Sequence, residues 1–287
     1  MNKQQDKILI TGATGQQGGA TAHQLLAKGY KVRAMTRKPN DEKAKALAQL
    51  GAEIVAGDLN DSASLEKALS GIWGTFAVQN TWEAGVQLEE EQGKRFATLA
   101  KKAGIKHFVY TSVGSAHRNT GIPHFDNKWR VEETVRSLGF PSYTIIRPVF
   151  FMDNFLSPWF KPMIDQGKLA MRIKPATRLQ SIAVEDIGRY GMIAFERHEH
   201  LNGRAIDLAG DEKTMPETAE NLSKAMGKKI VFEQTPIAEV RKFSEDYALM
   251  LEWFDKVGYN ADIKALIREF DFRPMSLTDW ASKVKWS

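Results

Sequence analysis

Apolar, β-branched runs recur along the first half of the chain, separated by stretches of helical periodicity. The runs are KILIT (7–11), KVRAMT (31–36), AEIVAG (52–57), GTFAVQ (74–79), HFVYTS (107–112) and SYTIIRPV (142–149). Most are short and continuously apolar instead of alternating in and out, as strands covered on both faces by crossover helices are. Helical patterns fill 17–28, 41–50, 62–69, 89–103 and 126–138, and a glycine follows each, at Gly29, Gly51, Gly71, Gly104 and Gly139. Glycine there supplies the left-handed residue that closes a helix. Strand and helix at this cadence predict an α/β fold built on a doubly wound parallel sheet.

After Pro148 the rhythm breaks. FFMDNFLSPWFKPMIDQGK is aromatic and interrupted by two prolines, whereas SIAVEDIGRYGMIAFER returns to a strand end and a helix. From GRAIDLAG onward come a helix over 216–226 with Thr214 as its cap, a strand in KIVFEQT, and one helix over 237–257 ending at Gly258. The pattern predicts a larger domain over 1–150, to which 181–202 returns, and a smaller C-terminal α+β lobe from 151–180 and 203–287. A lobe set at the carboxyl edge of such a sheet leaves a cleft suited to a small substrate.

The turn after the first run reads GATGQQGG. Gly12, Gly15 and Gly18 stand three apart, directly after a predicted strand and opening a predicted helix, which is the context that gives a glycine triplet its meaning. Gly12 permits a tight turn, Gly15 lets the backbone approach a pyrophosphate, and Gly18 lets the helix pack closely on the strand. The helix start then offers unbonded N–H groups to the phosphates. At the exit of the second strand, where an acid would bind the ribose 2′-hydroxyl of NAD, the chain carries Arg37 and Lys38. A guanidinium fork suits the 2′-phosphate of NADP, so NADP(H) is the expected cofactor. Asp58, ending the third strand, is expected either at the adenine or as a plain cap for the helix that starts near Asp61.

Composition narrows the remaining classes. Lys and Arg exceed Asp and Glu by 5, yet they are scattered, so the excess favours solubility and gives no basic stripe for nucleic acid. Cys is absent, which removes disulfides, thiolate catalysis and Cys-ligated zinc. The polar start MNKQQDK carries no signal peptide and no apolar run reaches membrane-span length, so a cytoplasmic protein is expected. His198 and His200 in RHEH stand at a helix end with no second ligand pair, and no metal is expected.

With these residues in view the chain resembles the NmrA-like proteins, atypical members of the short-chain dehydrogenase/reductase superfamily that include an NADPH sensor. The resemblance rests on GATGQQGG, VRAMTRKP, GAEIVAGDLND, FAVQNTWE, HFVYTSV, HFDNKWRVEE, IIRPVFFMDNF and MSLTDWASKV, and covers nearly the whole chain. It implies a Rossmann-type NADP-binding domain beside a substrate lobe. It further implies that Gly12, Thr14, Gly15, Gln16, Gln17, Gly18 and Arg37 line the phosphate end of the cofactor, with Val78, Asn80 and Lys128 nearer its middle and nicotinamide.

Ordinary members of that superfamily use Ser, Tyr and Lys, the last two spaced YxxxK on one helix, so that the tyrosine donates a proton. Here the segment reads HFDNK: His124 stands in place of the tyrosine, four residues before Lys128, and Ser112 is near the usual serine position, with Ser115 a lesser candidate. Three readings stay open. Lys128 acts as acid or base with help from His124, as in lysine-using relatives; or Lys128 only holds the nicotinamide ribose and the protein senses NADPH for a regulatory protein partner; or both are plain structural residues. Phe150, Phe155, Trp159, Phe160 and Met163, with Trp82 opposite, would line a dry pocket for a quinone-like or aromatic acceptor, or simply pack a core. A homodimer is compatible with all of this.

Overall fold

The computed structural model describes residue 2 and residues 5–286. The chain divides into two compact units: the first runs to Ala116 and takes in His124–Arg147 and Ile187–Ile206, and the second takes His117–Pro123, Pro148–Asp186 and everything from Asp207.

The strands in chain order are β1 (Lys7–Ile10), β2 (Lys31–Thr36), β3 (Glu53–Ala56), β4 (Gly74–Ala77), β5 (His107–Thr111), β6 (Ser142–Pro148), β7 (Phe150–Phe151), β8 (Lys168–Met171), β9 (Leu179–Ile182), β10 (Arg204–Leu208), β11 (Asp211–Lys213) and β12 (Val231–Gln234). Among the described residues seven of them form one sheet in the order β10-β6-β5-β4-β1-β2-β3. The pairings of β1 with β2 and β4, of β2 with β3, and of β5 with β4 and β6 are all parallel. The order reverses direction between β1 and β4, the switch point at which doubly wound sheets open a crevice beyond the carboxyl ends of their strands.

The helices that cover this sheet are α1 (Gln16–Ala27), α2 (Glu42–Gln49), α3 (Ser62–Leu69), the single turn α4 (Thr81–Ala84), α5 (Val86–Lys102) and α6 (Pro123–Ser137). One core cluster joins Leu9, Phe108 and Tyr110 of the strands to Leu65 of α3, Phe96 and Ala100 of α5 and Val131 of α6. Phe96 and Phe108 are buried to 1% exposure or less, and each such side chain contributes about 1.5–3 kcal/mol by leaving water. On the same side, Arg147 at the end of β6 forks the buried Glu132 of α6, through Nε at 2.8 Å and Nη2 at 2.6 Å, which fixes α6 against the sheet.

Four sequence expectations need correction. β10 was expected in the smaller lobe, but it lies beside β6 and forms the edge of the seven-stranded sheet. The GRAIDLAG run carries no mark of which sheet it joins, because pairing partners are set by long-range contacts. The helix expected over 237–257 is two, Ile237–Phe243 and Glu245–Lys256; Ser244, extended at φ −160°, breaks them and caps the second by accepting from the Tyr247 amide. The helix expected from Asp126 begins at Pro123, so His124 stands in its first turn. The AEIVAG run, read with the buried strands, is half-exposed because β3 ends the sheet.

The second unit holds a three-stranded sheet, β11-β9-β7, and a pair, β12-β8. Its helix Met215–Met226 carries a full capping box, Thr214 accepting from the Glu217 amide and the Glu217 carboxylate from the Thr214 amide. Among the described residues no helix is long and apolar enough to cross a membrane.

Candidate functional site

The glycine turn sits between β1 and α1, at the switch point. Thr11 ties it to β4: its hydroxyl donates to the Val78 carbonyl at 2.9 Å and accepts from the Val78 amide at 2.8 Å. Gly12 is left-handed at φ +57°, and a Cβ there would stand 2.8 Å from Val78 Cγ1, so no side chain fits. A Cβ on Gly18 would lie 2.7 Å from the Thr11 carbonyl oxygen, which is how close α1 comes to the turn. Gly15 is the helix N-cap without a capping side chain, and the first-turn amides of α1 have no intrahelical acceptors. Gln17 is fixed by Thr111 at the end of β5, whose hydroxyl donates to Gln17 Oε1 at 2.6 Å. Thr14 is half-buried and Gln16 exposed.

Arg37 and Lys38 are exposed just past β2. The Arg37 guanidinium donates to the Glu83 carboxylate of α4, and this hydrogen bond is the largest cause holding Arg37 above its usual pKa; Asp58 adds a weaker attraction. Asp58 Oδ1 accepts from the Asn60 amide at 2.8 Å, while Asp61 caps α3 through the Ala63 amide. The cap reading offered for Asp58 therefore belongs to Asp61. Asn80 caps α4 by accepting from the Trp82 amide at 3.1 Å.

His124 and Lys128 stand one turn apart on α6. The His124 ring is buried, 5.2 Å from the ring of Trp82 and 4.8 Å from Phe125. Lys128 Nζ lies 2.5 Å from Glu89 Oε1 of α5. Glu89 is 1% exposed and also accepts from Asn127 Nδ2 at 2.9 Å and from the Thr81 hydroxyl. Burial pushes its carboxyl up, but the Lys128 charge and these hydrogen bonds outweigh that and bring it below its usual range. Tyr110, beneath on β5, cannot replace the missing phenolic acid: burial first and the Glu89 charge second push its hydroxyl far above its usual pKa.

Two buried polar groups at the carboxyl ends of β4 and β5 have no hydrogen-bond partner among the described residues: both side-chain heteroatoms of Gln79, and Ser112 Oγ. Both face a cost unless a ligand or solvent meets them. Thus the structure joins the glycine turn to Val78 and Gln17, and joins Arg37 through α4 to Glu89 and Lys128. Glu83, Glu89, Thr81 and Gln79 escaped the sequence reading.

Other candidates lie elsewhere. In the second unit Phe155 is core, packed against the rings of Phe150, Phe160 and Trp280, while Trp159 is 85% exposed. His198 packs edge-on to Trp73 at 5.1 Å and lies 5.7 Å from His107, whose imidazole burial and then His198 push down to about 3. Among the described residues no cluster of His, Cys, Asp or Glu could hold a metal ion.

The fold finds its counterpart among known proteins. The family model described as the NmrA-like family matches residues 4–280. The chain belongs to the NmrA-like family. An NmrA-like family domain-containing oxidoreductase of Cladobotryum sp is 29% identical over 252 residues, covering 79% of this chain and 75% of its own length. The crystal structure of an NmrA variant superposes with a TM-score of 0.82 at 21% identity, over 98% of this chain and 95% of that one, a likeness of fold. An NADPH-dependent quinone oxidoreductase of Escherichia coli matches with a TM-score of 0.77 at 26% identity, over 96% and 98% of the two chains.

Proposed function

We propose that this NmrA-like chain is an NADPH-dependent oxidoreductase acting on a small conjugated acceptor, quinone-like or aromatic. The observation that carries the reading is Lys128, an ammonium only 13% exposed, fixed by a buried carboxylate and one helical turn from His124. A charge so placed suits proton delivery in a water-poor site.

The cofactor reading draws on the fit of the turn to a dinucleotide. Gly12 and Gly15 keep the backbone bare, the first-turn amides of α1 face outward as anion donors, and Arg37 supplies the cation for a 2′-phosphate, with Lys38 beside it. Thr14, Gln16, Gln17 and Gly18 complete the phosphate end; Asp58 stands toward the adenine, and Val78 and Asn80 toward the nicotinamide. NADPH, when bound, would supply the hydride. Lys128 would hold the proton for the acceptor oxygen, with His124 one helical turn away, and the Ser112 hydroxyl would orient the acceptor. That the Cladobotryum relative is described as an oxidoreductase and the E. coli protein as a quinone oxidoreductase supports this choice.

A second reading draws on the same pair. Lys128 is already engaged by Glu89, which suits a residue that holds the ribose and takes no part in proton transfer; the protein then senses NADPH for a regulatory partner. Following NADPH oxidation against quinones, enones and triphenylmethane dyes separates the two. Turnover with any of them supports the reductase; tight NADPH binding with no turnover across the panel leaves the sensor.

A further inference from the structure

We propose that Glu83 sets the preference between phosphorylated and unphosphorylated dinucleotides by competing for Arg37, an inference that rests on the NADP(H) reading above. Arg37 is the cation offered to a 2′-phosphate, and its guanidinium is already bonded to the Glu83 carboxylate. A 2′-phosphate has to displace that carboxylate or lie against its negative charge. A 2′-hydroxyl does neither.

Glu83 is held in that position by its surroundings. α4 is a single turn, pinned at its start by the Asn80 cap and by the Thr81 hydroxyl on Glu89, and ended by Gly85 at φ +83°. These contacts anchor the backbone of α4 beside the β2 exit, from which the Glu83 side chain meets Arg37. Arg37 and Glu83 are 57% and 53% exposed, which keeps their bond weak enough for a dianion to replace. Glu83 therefore lowers affinity for the phosphorylated form without abolishing it. Its effect acts mainly through Arg37.

The test is calorimetry on the intact chain and on Glu83→Gln, with NADP⁺, NAD⁺, adenosine 2′,5′-bisphosphate and AMP as ligands. The proposal expects the substitution to tighten NADP⁺ and the bisphosphate by about threefold to tenfold, combining a freed guanidinium with removal of a like charge. NAD⁺ and AMP should stay within about twofold or weaken. In an Arg37→Ala background most of the gain should vanish, leaving only what removal of the like charge contributes. Unchanged or weaker NADP⁺ binding, or equal tightening of all four ligands, overturns the role of Glu83 while leaving the cofactor reading intact. If the intact chain binds none of the four, the cofactor reading itself falls and takes this one with it. Glu83→Asp, which withdraws the carboxylate by one methylene, should fall between the two and serves if Glu83→Gln lowers the melting midpoint.

Discussion

The Lys128 ammonium lies 2.5 Å from Oε1 of Glu89, a carboxylate that water scarcely reaches. The pair spans α6 and α5, and Thr81 and Asn127 both donate to the other carboxylate oxygen, Oε2. A buried ion pair built this way adds little stability over an apolar pair, but each charge becomes costly without the other. Its main consequence is positional: Nζ has one place to be.

Glu89→Gln should therefore destabilise the chain by about 2–4 kcal/mol, because the ammonium stays half-desolvated without its counter-charge. The pH dependence should change with it. Since the folded carboxyl is depressed, the pair contributes fully above its ordinary value of 4.5 and loses that contribution as pH falls through the folded value. Urea midpoints between pH 7 and 3 should fall steeply for the intact chain and less steeply for Glu89→Gln. Parallel curves would show that Glu89 does not titrate with folding.

Gly18→Ala should cost about 1–3 kcal/mol, since the new methyl would enter the space held by the Thr11 and Gly12 backbone and push α1 off β1. The same substitution at Gly29, where nothing stands within 4 Å, tests strain at φ +77° instead of space. Denaturation of both, with dinucleotide binding measured alongside, should show Gly18→Ala losing both stability and binding and Gly29→Ala losing stability alone.

What could be read from the chain follows the range of the interactions. The glycine turn, the cap at Thr214 and the β1 to β6 runs are local, and all were legible. Glu83 and Glu89 were not, because their partners are 46 and 39 residues away and LEEEQ reads as a solvated charge run. A signal for Glu89 did exist. The buried face of α5 is Glu89, Gln92, Gly93, Phe96, Ala97 and Ala100, and extending the period back from Phe96 puts one acid of the run on the core side. An acid on an apolar face calls for a cation, and Lys128 was already in view.

Arg37→Ala should weaken NADPH by on the order of 1.5–3 kcal/mol, roughly tenfold to over a hundredfold, while NADH changes far less. Part of the loss is offset because Glu83 no longer has a guanidinium to hold, so the measured effect should lie nearer the lower end. Fluorescence or calorimetric titration with both coenzymes decides it. Equal weakening would remove Arg37 from the 2′-phosphate.

Lys128→Met separates the two readings of the site, provided its effect on folding is controlled. Removing the ammonium leaves Glu89 buried and unpaired, so the single variant should lose stability, and its carboxyl should rise above its present depressed value. Adding Glu89→Gln should recover part of that loss, with a coupling of about 1–3 kcal/mol in a double-mutant cycle. If Lys128 donates the proton, the folded double variant should still bind NADPH, yet turnover should drop by about a hundredfold or more, the usual weight of a general acid. If Lys128 only holds the ribose, the coenzyme Kd should rise and any turnover at saturating NADPH should persist. Single-turnover rates at saturating coenzyme distinguish the outcomes, because they report the chemical step free of coenzyme affinity.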